Sequence, residues 1–285
     1  MASTREIRMR IRSVKNIAQV TRALVATRAY ARKAFEIMNN LALQPGDTAS
    51  LHPLLEQREP KNALIILISS DRGLAGPYNM NIVRTVIDAA HALDRPTQWA
   101  TVGRKGRDLA FRRGAKIVAT FDNFTNPPPV IKIIPIARLA MEEFLAGKVD
   151  EVFVAYTDYI NTIQLEPTMR RLLPLGFTLE SQAYSAQLET EAPNGGPKLE
   201  YIYEPDPAGL LNEILPRFVE LQIYQAILES LASEHSARMV AMRNATDSAR
   251  DLVDSLQLTY NKARQLSITS DMLDIAGGAE ALSKM

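Results

Sequence analysis

Apolar positions at the two ends of the chain recur at steps of three and four, whereas in the middle they run together. Near the start, Ile7, Ile11, Val14, Ala18, Thr21 and Val25 alternate steps of four and three, the seam of a coiled coil, with Ser3 or Thr4 placed to cap the helix. A displaced stripe of Leu24, Ala31, Ala34, Phe35 and Met38 continues it and keeps Arg28 and Arg32 off the seam, until Pro45-Gly46 ends the helix. From Leu211 a strict three-four alternation runs to Ser267 through Phe218, Leu228, His235, Met239, Met242, Val253, Leu256 and Tyr260, and no proline follows Pro216. Both ends therefore read as long helices with narrow apolar seams.

Between them the pattern changes. Ala63 to Ser69 is a continuous apolar run suited to a buried strand, followed by the turn-forming Ser70-Asp71-Arg72-Gly73-Leu74-Ala75-Gly76-Pro77 and an amphipathic helix with Ile82, Val83, Val86, Ile87 and Ala90. Strands at about Gln98 to Val102, Ile117 to Phe121 and Glu151 to Thr157 alternate with helices near Lys105 to Arg113 and Pro135 to Ala146, the second closed by Gly147. Strand-helix alternation of this kind predicts an α/β, Rossmann-like, mostly parallel sheet. Pro127-Pro128-Pro129 and Asn194-Gly195-Gly196-Pro197 mark loops, and Glu204-Pro205-Asp206-Pro207 marks a stiff boundary. The expected division is an N-terminal helix and connector over 1–58, an α/β domain over 59–207 and a C-terminal helix over 208–285.

Two seamed helices at opposite ends of a chain bury their stripes most simply against each other, so the α/β domain is expected as an insertion between the arms of an antiparallel coiled coil. At 1.5 Å per residue, a first helix of about 40 residues spans about 60 Å and a last one of about 70 residues about 100 Å. Residues beyond about Leu258 then extend about 40 Å past the pair. Such a segment is marginal in water alone and needs a partner around it. Met272, Leu273, Ile275, Ala276, Ala279 and Leu282 give it the apolar surface for one.

Composition narrows the chemistry. The 285 residues are 46% hydrophobic and 23% charged, with 33 basic against 32 acidic side chains, ordinary globular values that exclude whole-chain disorder and a general affinity for polyanions. Zero cysteines remove disulfides, thiolate metal sites and thiol nucleophiles, and His52, His91 and His235 are too scattered for a multi-histidine metal centre. No stretch approaches a membrane span, and the charged start lacks the apolar core of a secretory signal, so a soluble chain without a direct membrane span is expected. Charge is uneven, however. Residues 1 to 40 hold nine basic side chains against Glu6 and Glu36, while the excess is acidic from Ala208 onward. Arg5, Arg8, Arg12, Lys15 and Arg22 fall one residue after seam positions and form a basic stripe. Its partner could be solvent, an acidic protein or nucleic acid; few aromatics are interleaved to stack bases, which disfavours the last.

A phosphate loop GxxxxGK[ST] is absent, as is GxGxxG after the first strand. Gly103-Arg104-Lys105-Gly106-Arg107 follows a strand and could attract an anion, but lacks the hydroxyl residue that would hold magnesium, and reads as a solvated turn. Ser69-Ser70-Asp71-Arg72-Gly73 offers a nucleophile and a carboxylate at the carboxyl end of a strand, where α/β active sites sit. No histidine is near it in sequence, so a loop held by Asp71 and Arg72 is the favoured reading, with an α/β hydrolase-like enzyme using a distant His235 as the alternative. A coiled-coil nucleic-acid or scaffold adaptor is the second alternative.

Three segments carry a resemblance: Arg5 to Thr21 (REIRMRIRSVKNIAQVT), Ser69 to Asn79 (SSDRGLAGPYN), and Ala232 to Leu282 (ASEHSARMVAMRNATDSA, then LTYNKARQLSITSDMLDIAGGAEAL). In order and spacing, over essentially the whole chain, the sequence resembles the gamma subunits of F-type ATP synthases. The resemblance implies a non-catalytic central-stalk rotor that couples ion-driven rotation of a membrane c-ring to ATP synthesis and hydrolysis, and that regulates ATPase activity and ion flow. It implies alpha, beta and epsilon subunits and the c-ring as partners, delta, a and b elsewhere in the complex, and no nucleic acid. No cofactor is expected on this chain, because ATP, ADP, phosphate and magnesium belong to partner subunits. A peripheral position on the cytoplasmic face of a bacterial plasma membrane is implied too. By the same resemblance, Arg264, Gln265 and Thr269 match positions that hydrogen-bond a beta-subunit loop, and Arg238 matches a contact with the beta lever. The basic stripe of Arg8, Arg12, Lys15 and Arg22 is then expected to face acidic levers, beside a seam that includes Ile7, Ile11, Val14, Met239, Met242, Val253 and Leu256.

Overall fold

The computed structural model describes residues 8, 11, 14–27, 52–175 and 207–283, and divides into compact units over Met1–Met239 and Val240–Met285. Within the first unit, helix α1 (14–27) is followed by β1 (Ala63–Ile68), α2 (Tyr78–Ala92), β2 (Thr97–Val102), α3 (Arg104–Arg112), β3 (Lys116–Phe121), α4 (Ile134–Leu145), β4 (Glu151–Tyr159) and β5 (Leu165–Leu173). A single helix, α5, then runs from Pro207 to Ser283. The predicted strands and helices of the middle segment are all present. Sequence reading missed β5.

The five strands lie in the order β3-β2-β1-β4-β5, parallel except for β5, which pairs antiparallel with β4. β1 is central, and all six of its residues are buried because both faces of the sheet are covered. Side chains alternate across the pleat, and the two cores divide accordingly. Leu64, Ile66 and Ile68 join Ile136, Ala140 and Phe144 of α4 and Leu211, Leu215, Phe218, Val219 and Ile223 of α5. Ala63, Ile65 and Leu67 join Ile82, Val83 and Val86 of α2 and Ala110 of α3 on the other face.

The first turns of α5 thus belong to the sheet's core. Leu211 and Phe218, expected on a coiled-coil seam, are buried against strands instead, and the buried stripe there is broad (211, 215, 218, 219, 223) because a sheet is wider than a partner helix. Pro216 lies inside this stretch, where it removes one backbone donor from the helical ladder without ending the helix. From Gln225 to Ser230 every residue is buried, since α1 packs there as well, through Val20 and Leu24 against Leu228 and Ala232. In α1 the inward positions are Val20 and Leu24, with Ile17, Ala23 and Thr27 half-buried, whereas Ile11, Val14 and Val25 are exposed. Of the displaced stripe Leu24 alone lies among the described residues, and it is buried, while the seam positions Ala18 and Thr21 are half-buried. The other parts predicted for the first helix, its Pro45-Gly46 end, the loop at Asn194 and the boundary at Glu204 lie outside the described residues.

Two turns position the carboxyl end of the sheet. Gly103 opens α3 at φ +94°, and a Cβ there would overlap the carbonyl oxygen of Ser69. α4 closes as predicted at Gly147, φ +68°, whose amide donates to the carbonyl of Phe144 while Lys148 N donates to Glu143.

In the second unit, Val240 onward, the described side chains are exposed apart from the half-buried Ala241 and Thr246. Arg243 and Arg250 pair with Asp247 along the helix. Among the described residues no helix is long and apolar enough to cross a membrane.

Candidate functional site: a plugged crevice and an exposed helix

In a doubly wound sheet the ligand crevice opens at the carboxyl ends of the strands where the strand order reverses. Here that point lies between β1 and β4, and the candidate nucleophile loop leaves β1 beside it. Its hydroxyls are already committed. Ser69 Oγ donates to the carbonyl of Val102 at 3.0 Å and accepts from Gly106 N at 2.9 Å. Ser70 Oγ donates to the carbonyl of Arg72 at 2.7 Å, and Ser70 N donates to Asn79 Oδ1 at 3.0 Å. Asp71 is a loop clamp, accepting from Arg104 N at 3.2 Å and Asn123 N at 3.0 Å, with the Arg104 guanidinium 3.7 Å away. Asp71 thus fastens the loop to α3 and to the segment after β3. Gly103–Arg107 is the start of α3, folded against Ser69.

The crevice itself is filled by α5. Ser230, Ser233 and Ser236 are all buried. The hydroxyl of Tyr78 meets Ser230 Oγ at 2.6 Å and its backbone carbonyl at 3.1 Å. Ser233 Oγ donates to the carbonyl of Thr157 at the end of β4 (3.1 Å), and Ser236 Oγ to that of Thr162 in the β4–β5 hairpin (2.8 Å). His235 accepts through Nε2 from the side-chain amide of Asn126 rather than meeting either serine of the β1 loop. Arg238 donates to Glu234 Oε1 at 2.7 Å and reaches the carbonyls of Arg72 and Gly73 at 3.4 Å. Among the described residues, no serine of this set is hydrogen-bonded to a histidine or carboxylate. Sequence reading found Asp71, His235 and Arg238 but missed the serines, whose one signal was three small hydroxyl residues spaced by three on a helix otherwise rich in larger side chains.

Burial governs the titrations here. It raises the Tyr78 phenol well above its ordinary range, the Glu234 charge adding to the effect. Glu234 is itself raised by burial, with Arg238 opposing. His235 is lowered by burial and then by the Arg238 charge, so its imidazole is neutral at pH 7, which suits Nε2 as an acceptor.

The other predicted residues separate into three groups. Arg8, Lys15 and Arg22 of the basic stripe are exposed, and Arg12 lies outside the described residues. Ile7 also lies outside them, while Met239 is half-buried and Ile11, Val14, Met242, Val253 and Leu256 are exposed in this chain. Arg264, Gln265 and Thr269 sit together on the exposed turns of α5, with the Thr269 hydroxyl donating to the carbonyl of Gln265 at 2.9 Å. Around them Leu252, Leu258, Tyr260, Leu266, Met272, Leu273 and Ile275 are between 58% and 73% exposed, far beyond the scattered apolar residues of an ordinary surface.

A Rossmann-like sheet whose crevice holds its own helix, and a helix whose large apolar side chains are exposed among the described residues, are the features of a subunit built for assembly. Residues 3–282 match the ATP synthase family. The sequence is 44% identical to the ATP synthase gamma chain of Dehalococcoides mccartyi strain CBDB1 and 42% identical to that of Chloroflexus aurantiacus, in each case covering 99% of this chain and 100% of the relative. The chain belongs to the ATP synthase gamma-chain family. Its fold is that of the central stalk in the Tetrahymena thermophila mitochondrial ATP synthase (TM-score 0.59, 24% identity, 84% of this chain and 97% of that one). The rotor of the Euglena gracilis mitochondrial enzyme is similar in fold too (TM-score 0.54, 19% identity, 90% and 95%).

Proposed function

We propose that this chain is the central rotor shaft of an ATP synthase, a non-catalytic subunit that couples rotation of a membrane ring to nucleotide chemistry on other subunits. The observation that carries the reading is α5 beyond Val240, a helix whose large apolar side chains lack cover from this chain across the described residues. A lone helix of this kind is marginal in water, so the surrounding subunits supply its environment. An asymmetric shaft that meets three beta subunits differently gives each a different affinity for ADP, phosphate and ATP, and turning it exchanges those affinities.

Arg264, Gln265 and Thr269 are the polar group that meets a beta-subunit loop, and the exposed Arg8, Lys15 and Arg22, with Arg12, face acidic beta levers. Arg238 reaches a lever only through the part of its guanidinium that Glu234 and the loop carbonyls leave open, its side chain being 24% exposed. Ile7, Ile11, Val14, Met242, Val253 and Leu256 form the seam that closes on assembly. The body meets the epsilon subunit and the c-ring, with delta, a and b elsewhere in the complex, on the cytoplasmic face of a bacterial plasma membrane. ATP, ADP, phosphate and magnesium are held by partner subunits. Co-expression with alpha and beta subunits followed by sizing tests the reading: a complex containing one copy of this chain is expected, and recovery of this chain alone would overturn it.

A further inference from the structure

The contacts at the plugged crevice form a ring around α5. Over nine residues, Ser230, Ser233, His235, Ser236 and Arg238 are each hydrogen-bonded to a different part of the α/β body: Tyr78, the end of β4, Asn126, the β4–β5 hairpin and the β1–α2 loop. At about 100° per residue and with Ser230 at the origin, Arg238 lies at about 80°, His235 at about 140°, Ser236 at about 240° and Ser233 at about 300°. The widest gap, between His235 and Ser236, is centred on Ala232 at about 200°, with Leu228 at its edge. Those two residues are the ones packed on Val20 and Leu24 of α1. The helix is therefore held on every side.

Such a ring resists twisting in a way that apolar packing does not. Hydrophobic contact is non-directional, whereas a hydrogen bond weakens steeply with distance and angle. Turning α5 by about 20° moves an atom about 4 Å from its axis by about 1.4 Å, which is enough to break bonds of the length seen here.

We propose that this collar, Ser230, Ser233, His235, Ser236 and Arg238 with Tyr78, Asn126 and the three backbone carbonyl sites on β4, the β4–β5 hairpin and the β1–α2 loop, is the torque-bearing joint through which twist passes between the α/β body and α5. The proposal rests on the rotor reading and names the positioning residues that make it mechanical. Its test is torsional stiffness. In the complex with alpha and beta subunits, a bead is attached through Phe111→Cys, the only thiol in a chain that otherwise has none. Angular fluctuations are recorded during a nucleotide-dependent pause. Ser233→Ala with Ser236→Ala removes two of the five links and is expected to widen the angular variance by up to about 1.7-fold, the limit for five equal parallel springs without other coupling, with ATP hydrolysis at no load unchanged. Tyr78→Phe keeps the buried ring and is expected to widen it by a smaller step. Leu215→Ala, a core truncation in the same helix, is the control, lowering Tm without widening the fluctuations. Unchanged variance in the serine variant, or equal widening in the control at equal loss of Tm, would overturn the joint while leaving the rotor intact. A wild-type complex that assembles but never rotates overturns the rotor reading and the joint with it.

Discussion

At the scale of single residues, the collar's His235 and the neighbouring Glu234 are half-buried titratable groups with opposite tendencies. His235 is held neutral by burial and by Arg238, so in the window below its ordinary value of 6.5 the unfolded chain takes up a proton before the folded one does. That contribution to stability is complete above 6.5 and is lost as the pH falls through the lowered folded value. Glu234 acts the other way, its raised carboxyl favouring the folded chain at acid pH and losing that contribution as the pH rises through the folded value. Replacing His235 by Gln retains an acceptor for Asn126 without a titration. Urea unfolding of His235→Gln should therefore show a flatter decline in stability below pH 6.5 than wild type, and parallel curves would refute the assignment. Gly103 makes a steric prediction: at φ +94° with Ser69 against its Cα, Gly103→Ala should cost about 3 kcal/mol in the same assay.

At the scale of elements, what the sequence revealed follows from how strongly one physical term dominates each segment. β1 is buried on both faces and reads as an unbroken apolar run, so it was visible within one residue. β5 has one neighbour strand and half-exposed residues, and it holds Pro167 and the Arg170-Arg171 pair, so neither alternation nor an apolar run marks it. Its partner β4, rather than its own sequence, makes it a strand. α5 shows the converse: its three-four alternation was legible, but not that the first turns face a sheet, since a periodic stripe names a face and not what covers it. Within α1 the stripe through Val20 and Leu24 is the one buried. Leu24→Ala should weaken that contact by about 2–3 kcal/mol. Hydrogen exchange should then show faster exchange over 14–27 with β1 unchanged; global loss of protection would mean that α1 is part of the main core.

At the scale of the molecule, the division between what this chain covers itself and what it leaves bare decides where function lies. The sheet's crevice is spent on holding α5, and the apolar side chains that a self-sufficient protein would bury stand exposed from Leu252 to Ile275. Stability of the isolated chain and competence of the assembly therefore respond to different substitutions. Leu256 is 59% exposed here, so Leu256→Asp adds a charge to water in the isolated chain and should leave its unfolding free energy within about 0.5 kcal/mol of wild type. On the proposed seam contact the same charge is enclosed in the assembly, and complex recovery on sizing should then fall sharply. Arg264→Ala with Gln265→Ala separates contact from cover more finely, because both side chains are exposed and neither anchors the body. That double variant should keep the wild-type circular dichroism and urea midpoint when purified alone, yet lose coupled ATP synthesis, with hydrolysis and ion pumping no longer in step. Unfolding of the isolated double variant would place these residues in the fold, and full coupling in the assembly would remove them from the beta-subunit contact.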